Sequence, residues 1–427
     1  MKAILDIVKK HKEGVPLGIY SVCSAHPLVI QASLEVALAT DTYALIEATS
    51  NQVNQDGGYT GMQPVDFREL VFTIADKVKL PRDKIILGGD HLGPNCWQGL
   101  TSEVAMQKSE VLIAEYVKAG FKKIHLDCSM SCSDDPVPLS DDIVAGRAAK
   151  LCQVAENAWQ ETGGEAPVYI IGTEVPVPGG ATEELDELEV TSPDAAKQTI
   201  SAHQKVFEAH GLSHVWPRIV ALVVQPGVEF DHHKVIDYQD TKAKDLSEFI
   251  NSQPHMIFEA HSTDYQTADN LQNLVRDHFA ILKVGPGVTF ALREALWALD
   301  QIEREWLAVD QTSNLKATMK KVMKDLPKYW QPYYTSEGQQ LELDCQYSLS
   351  DRVRYYWPQA EVLKAYNVMS ENFAKNSVPL TLLSQYLPLQ YQAVRAGEIS
   401  ASVEQIVIHH ITAVLKQYLN ACRPANV

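Results

Sequence analysis

Lys-Ile-Ile-Leu-Gly-Gly-Asp-His-Leu-Gly-Pro, residues 84–94, is an apolar, β-branched run that ends on an acid and an imidazole and then turns through Gly and Pro. Its hydrophobic part does not alternate with polar residues, as expected of a strand covered on both faces. The same form recurs through the first 290 residues. Leu17–Cys23, Tyr43–Glu47, Lys122–Asp127, Val168–Glu174, Arg218–Gln225, His255–Glu259 and Ala280–Val284 are further runs of strand length, each followed by a polar or Gly/Pro-rich turn. Amphipathic stretches lie between them. Phe67, Leu70, Val71, Ile74, Ala75 and Val78 form an apolar stripe at helical spacing. Leu28–Ala39, Thr101–Ala119, Asp141–Thr162, Ser192–His210 and Asp269–Asp277 also read as helices, with Ser140 and Ser192 placed as caps. Eight strand–helix units predict an α/β fold, a TIM (β/α)8 barrel over 1–290. A doubly wound open sheet is the alternative. It often carries Gly-x-Gly-x-x-Gly after its first strand, and none follows Cys23. Residues 291–427 have no strand rhythm and read as a helical extension packed on the barrel.

Composition narrows the function classes. The 427 residues are 45% hydrophobic and 21% charged, with a formal net charge of −17. That apolar mass excludes a disordered chain. The acidic balance, with no basic stripe to offset it, argues against nucleic acid as a partner. Seven scattered cysteines do not make a disulfide framework. Met1–Lys12 lacks a signal-peptide apolar region, and no run reaches the ~18 apolar residues a bilayer needs. A soluble cytoplasmic protein is expected.

Barrels of this type place their chemistry just beyond the strand ends. Those ends carry Ser24 and His26; Glu47, Thr49, Ser50 and Asn51; Asp90 and His91; Asp127 and Ser129; Glu174; Gln225; Glu259 and His261; and Lys283. Acids that close apolar strands are costly to bury unpaired, so their recurrence predicts one shared polar pocket. Asp90-His91 offers a metal ligand beside an acid–base group, and His261 is a second imidazole on the same face. Two histidines with neighbouring carboxylates suit Zn2+; a metal-free hydrogen-bonded mouth is the alternative. His125 alternates with Ile124 and Leu126 and reads as a core histidine, while His232-His233 and His409-His410 read as surface residues. Lys283 reads as an electrostatic partner for phosphate or carboxylate rather than a Schiff-base lysine. Gly285 and Gly287 offer backbone N–H groups to an anion at a helix start. In Ser348–Trp357, Arg352 and Arg354 stand among aromatics, a pattern for phosphate recognition, a subunit contact or a packing seam. No Gly-x4-Gly-Lys-[Ser/Thr] loop occurs.

Longer motifs carry a family resemblance. They are Ser-Val-Cys-Ser-Ala-His-Pro-Leu-Val (21–29), Ile-Glu-Ala-Thr-Ser-Asn-Gln-Val-Asn-Gln (46–55), Gly-Gly-Asp-His-Leu-Gly-Pro-Asn (88–95) and His-Leu-Asp-Cys-Ser-Met-Ser-Cys (125–132). Gly-Thr-Glu-Val-Pro-Val-Pro-Gly-Gly (172–180), Val-Gln-Pro-Gly-Val-Glu-Phe-Asp-His (224–232), Glu-Ala-His-Ser-Thr-Asp-Tyr-Gln (259–266), Asp-Arg-Val-Arg-Tyr-Tyr-Trp-Pro (351–358) and Ser-Gln-Tyr-Leu-Pro (384–388) complete them. The chain resembles the GatZ/KbaZ family, the Z subunit of class II D-tagatose-1,6-bisphosphate aldolase, over almost its whole length. The resemblance implies a barrel related to class II aldolases. There, a zinc ion polarises the ketose carbonyl, and the acid beside the first histidine ligand moves a proton. Asp90, His91 and His261 match these positions, and Gln225 stands where the remaining zinc histidine is expected. The resemblance further implies a subunit that is inactive alone and stabilises the catalytic Y subunit in a chaperone-like way. Tagatose 6-phosphate would reach it from galactitol or N-acetylgalactosamine. Family members have also been labelled tagatose-6-phosphate kinases. An autonomous zinc-dependent aldolase or epimerase on a phosphorylated ketose is the competing reading, with Zn2+ held by His91, His261 and a carboxylate such as Glu174 or Glu259. Its candidate groups are Asp90, Asp127 and Glu174 for proton transfer, and Ser24, Asn51, Lys283, Gly285, Arg352 and Arg354 for substrate. A homo-oligomer is compatible with either.

Overall fold

The computed structural model describes residues 1–175, 180–181 and 188–423. Part of the 172–180 motif and the last four residues of the extension lie outside the described residues. All eight expected strands form: β1 (Ile19–Cys23), β2 (Ala44–Thr49), β3 (Ile85–Leu92), β4 (Lys123–Leu126), β5 (Val168–Ile171), β6 (Ile219–Val224), β7 (Ile257–Ala260) and β8 (Phe279–Val284). Each pairs in parallel with its neighbours and β8 closes on β1, so the sheet is a closed barrel. This is an α/β TIM barrel.

The helices follow the sequence closely. α1 (Lys2–Lys12) precedes the barrel, and α2 (Pro27–Ala39), α3 (Pro64–Val78), α4 (Ser102–Lys118), α5 (Asp141–Thr162) and α6 (Pro193–Ala209) surround it. Ser140 and Ser192 accept from the amides of Ile143 and Ala195, capping α5 and α6. Two helices, α1 and α7 (Asp240–Ile250), were not visible in the sequence pattern, nor was the short hairpin that pairs Glu229–Phe230 with Val235–Ile236. α8 (Ala268–Arg276) completes the approach to β8.

The barrel interior divides into two halves. Below, the apolar Ile19, Leu45, Ile86, Val168, Ile257 and Ile281 share one cluster with Ile4, Ile7 and Val8 of α1, which plugs that end. Above, the inward side chains are buried and polar: Ser21, Glu47, Lys123, His125, Glu259 and Lys283. Gly88 lies opposite Glu47 in the β2–β3 register. A Cβ there would meet Glu47 Oε1 at 2.5 Å, so glycine leaves room for that carboxylate.

Beyond the barrel the described chain is helical. α9 (Pro286–Trp306) runs straight on from β8 across residue 290, and α10 (Leu315–Asp325), α11 (Gly338–Tyr347), α12 (Ala360–Lys375), α13 (Leu380–Tyr386) and α14 (Pro388–Ala396) follow. The last helix, α15 (Val403–Cys422), returns to pack on α9, α2 and α8 and touches β1. Tyr418 on it donates to the carbonyl of Thr263 at 2.8 Å. No described helix is long and apolar enough to cross a membrane. All seven cysteines are free thiols.

Candidate functional site

The polar upper half of the barrel opens into a cavity. Asp90, His91, His261 and Lys283 all line it, with Asn51 at its rim and Arg354 brought in from the extension. The centre is an ion network. Lys123, with no solvent exposure, stands 2.7 Å from both Glu47 Oε1 and Glu259 Oε2. Lys283 pairs with Glu47 and lies 3.0 Å from Asp90 Oδ2. Burial alone would lower both lysines, but their carboxylate partners outweigh it and raise them, Lys283 well above the ordinary range. Lys283 is therefore an ammonium, which suits anion binding and not Schiff-base chemistry.

Three imidazoles converge beside this network. The ring centroids of His91, His125 and His261 are 5.0–5.3 Å apart. Each has one nitrogen against a carboxylate: His91 Nδ1 at 2.7 Å from Asp127 Oδ2, His125 Nδ1 at 2.9 Å from Asp90 Oδ1, and His261 Nε2 at 2.9 Å from Glu259 Oε1. Burial opposes charge on His91, but Asp90 and Asp127 outweigh it and raise its pKa. Burial dominates at His261 and lowers it to about 4, so that ring is neutral. Asp90 and Asp127 are held well below the usual carboxylate range; burial pushes them up, and the neighbouring cations override it. The backbone is irregular here. The β3–β4 register shifts between Gly89 and Leu92, and His91 sits at φ 48°. Such a bulge with a left-handed residue re-aims a side chain at a local cost.

The structure sorts the sequence-predicted residues. Asp90, His91, Glu259, His261 and Lys283 come together, and Asp127 acts on them by holding His91. Glu174 does not join: β5 ends at Ile171, so Glu174 lies exposed in the following loop and accepts from the Thr191 hydroxyl. Gln225 turns away, its Oε1 accepting from the amides of Gly227 and Val228 at 2.8 and 3.0 Å. Ser24 accepts from the His26 amide at 3.3 Å and faces a neighbouring cavity. The amides of Gly285 and Gly287 are not free for a ligand. They donate to Asp264 Oδ1 at 2.9 and 2.7 Å, so the chain's own carboxylate fills that cradle. Burial raises Asp264 to about 6 against those hydrogen bonds.

The Ser348–Trp357 segment is a seam that also reaches the mouth. Arg352 is buried with its guanidinium 3.2 Å above the Tyr333 ring, and it faces an adjoining cavity. Arg354 holds the carbonyls of Ser350 and Asp351 and donates to the Tyr355 hydroxyl at 3.0 Å. Burial would raise Tyr355, but the two guanidiniums lower it. His232 is not a free surface residue: it bonds the Ser350 hydroxyl at 2.8 Å and the Tyr333 carbonyl at 3.0 Å.

Sequence reasoning missed two residues at the centre, Lys123 and His125. Both face inward from β4, two positions apart. The donor set suits a metal chemically. One donor atom each from Asp90, His125, Glu259 and His261 lies within 4.8 Å of the others, and the buried Nε2 of His125 has no hydrogen-bond partner. Imidazole and carboxylate donors of this kind hold Zn2+, which would supply Lewis acidity to a carbonyl oxygen.

A closed eight-stranded barrel with its polar, titratable groups gathered at the strand ends defines a (β/α)8-barrel protein with a candidate active-site mouth. The family model described as D-tagatose-1,6-bisphosphate aldolase subunit GatZ/KbaZ-like matches residues 4–423, and the chain belongs to that family. Among solved structures, it is similar to one described as "a probable tagatose 6 phosphate kinase" from Sinorhizobium meliloti 1021. The identity is 47% and the TM-score 0.88, with 95% of this chain and 100% of that one covered. The fructose-bisphosphate aldolase of Campylobacter jejuni gives 14% identity and a TM-score of 0.47, with 87% of this chain and 91% of that one covered. The YdjI aldolase of Escherichia coli K12 gives 11% and 0.43, with 87% and 96% covered.

Proposed function

We propose that this chain is a stabilising subunit of a tagatose-1,6-bisphosphate aldolase complex. It binds a separate catalytic Y subunit and keeps it active, in cytoplasmic degradation of tagatose 6-phosphate. The observation that carries this reading is the match of residues 4–423 to a family of aldolase subunits. Gln225 supports it, because the sixth strand offers the mouth no imidazole and its amide is spent on the following loop. Lys283 and Arg354 keep positive charge on the cavity, as a phosphorylated ketose requires. The test is thermal inactivation of the catalytic subunit with and without an equimolar amount of this chain, with sizing of the mixture. Several-fold slower inactivation and a joint elution peak are expected. No protection and separate peaks overturn the proposal.

One observation favours a second reading, an autonomous aldolase or epimerase acting on a phosphorylated ketose. Asp90, His91, His261 and Lys283 line one cavity with shifted titrations, and such clusters mark catalytic sites more often than structural ones. Here Asp90 would move the proton and Lys283 would hold substrate charge. Cleavage of tagatose 1,6-bisphosphate by the pure chain, lost in Asp90→Asn, decides for it. The kinase description of the Sinorhizobium relative is tested by ATP-dependent phosphorylation of tagatose 6-phosphate.

A further inference from the structure

We propose that the cavity beside the barrel mouth, lined by Arg352, Lys328 and the rings of Trp97, Tyr329, Tyr333 and Tyr355, is a second binding site, and that it takes a phosphate group of a phosphorylated sugar. The inference goes beyond membership of an aldolase complex and does not depend on it, because binding is read directly.

Arg352 carries the argument. It is 2% exposed, and among the described residues it forms no ion pair with a carboxylate. Its Nη1 donates to the Tyr355 hydroxyl at 3.3 Å. Its Cζ stands 3.2 Å from the centre of the Tyr333 ring and 5.4 Å from that of Tyr355, and its buried Nε has no partner. Arg293 gives the contrast. It is equally buried, and its Nε meets Asp351 Oδ1 at 3.3 Å. Aromatic faces and one phenol offset part of the cost of a buried cation, but a guanidinium kept from water ordinarily has an anion beside it. A chain of net charge −17 has carboxylates to spare, and it places none here.

The other charges of the cavity agree. Lys328 is exposed at its edge, with its ammonium 4.5 Å from the Tyr329 ring. Asp56 also lines the cavity, but Lys108 stands 3.1 Å from it and offsets its charge. That leaves two cations. A phosphate monoester, with about −1.5 to −2 charges at pH 7, matches them better than a carboxylate does. The rings offer flat faces to the C–H groups of a sugar and phenol edges to its hydroxyls. Tyr329 and Tyr355 already stack, 5.1 Å apart at 10°, so this wall is formed in advance.

The cavity is separate from the mouth. Asn51, Tyr59 and Tyr355 line both and make the partition. Arg354 holds the Tyr355 hydroxyl at 3.0 Å from the mouth side, and Arg352 holds it from the other. Two sources of phosphate fit this geometry: the far phosphate of a ketose bisphosphate that reaches across the partition, or a separate sugar monophosphate.

The full-length protein is titrated by calorimetry with tagatose, inorganic phosphate, tagatose 6-phosphate and tagatose 1,6-bisphosphate. The phosphorylated sugars are expected to bind and tagatose is not. Arg352→Gln should weaken the bisphosphate about 10- to 100-fold, as loss of charged hydrogen bonds does. Lys328→Glu should weaken it about 5- to 10-fold by placing like charge at the edge. A bisphosphate bound far more tightly than the monophosphate, with the excess lost in Arg352→Gln, assigns the far phosphate. Equal affinities, with inorganic phosphate competing, assign a separate monophosphate. Near-UV circular dichroism checks each fold; if Arg352→Gln unfolds, Lys328→Glu, on an exposed side chain, decides alone. Equal binding of tagatose, no binding of any probe, or unchanged bisphosphate affinity in the deciding variant overturns the inference. Phosphate binding without any protection of the catalytic subunit leaves this inference standing and removes the stabilising role.

Discussion

Lys123 has no exposed surface and stands between two carboxylates, each at 2.7 Å. An ammonium in that position is held by its partners, and they by it, because neither side has water to fall back on. Removing one member of a buried pair typically costs 3–5 kcal/mol, since an uncompensated charge remains. Lys123→Met should therefore destabilise the protein by about 3–5 kcal/mol in urea unfolding, and adding Glu259→Gln should recover part of that loss. The exposed pair Lys77–Glu404, at 2.8 Å, gives the contrast: Lys77→Met should cost less than about 1 kcal/mol. Equal effects of the two substitutions would count against this account of the mouth. The sequence already held the signal for Lys123 and His125. Both lie on one face of Lys-Ile-His-Leu at the two-residue period of a strand. The apolar neighbours Ile124 and Leu126 suggested a core histidine, yet they point to the helices while His125 points into the barrel. Glu174 failed for the opposite reason: it follows an apolar run in sequence, but the strand stops three residues earlier.

At the scale of elements, strands were the legible part, because a doubly covered strand writes its burial as a continuous apolar run. Which helix covers which strand was not legible. Helical periodicity says that a face is apolar, not what it meets. α15 is the consequential case. Val403, Ile406, Val407, Ile408, Ile411 and Leu415 are buried on it, against α9, α2 and α8. At about 1.5–3 kcal/mol for each such side chain, their exposure would cost roughly 9–18 kcal/mol. Whole domains are stable by only about 5–15 kcal/mol. A chain ending at residue 402 should therefore lose cooperative unfolding and aggregate, and residues 1–290 alone should do no better, since that cut also falls inside α9. A soluble 1–290 fragment with a sharp melting transition would show instead that the barrel folds without its helical extension.

Over the whole molecule, buried titratable groups set how stability responds to acid. Burial lowers His11, His26, His203 and His261 each to about 4. An unfolded histidine titrates near 6.5, so unfolding takes up their protons between about pH 4 and 6.5, and stability falls as pH falls through that window. Two acids work in the other direction. Burial raises Asp264 to about 6 and Glu229 to about 7, so the folded chain holds their protons and gains stability on acidification. The lowered histidines outnumber the raised acids, so unfolding takes up net protons near pH 5 and stability falls as pH falls there. His91 adds the upper limit: its pKa is raised, so its contribution is full below 6.5 and is lost as pH rises further. Urea unfolding across pH 5 to 8 should show a maximum near 6.5. Asp264→Asn removes one opposing acid and should steepen the slope between pH 5 and 6. It should also raise stability at pH 7, where the wild-type carboxylate is buried and charged. A wild type more stable at pH 5 than at 6.5 would mean that the histidines are not neutral in the folded barrel, and an Asp264→Asn slope equal to the wild type's that Asp264 holds no proton there.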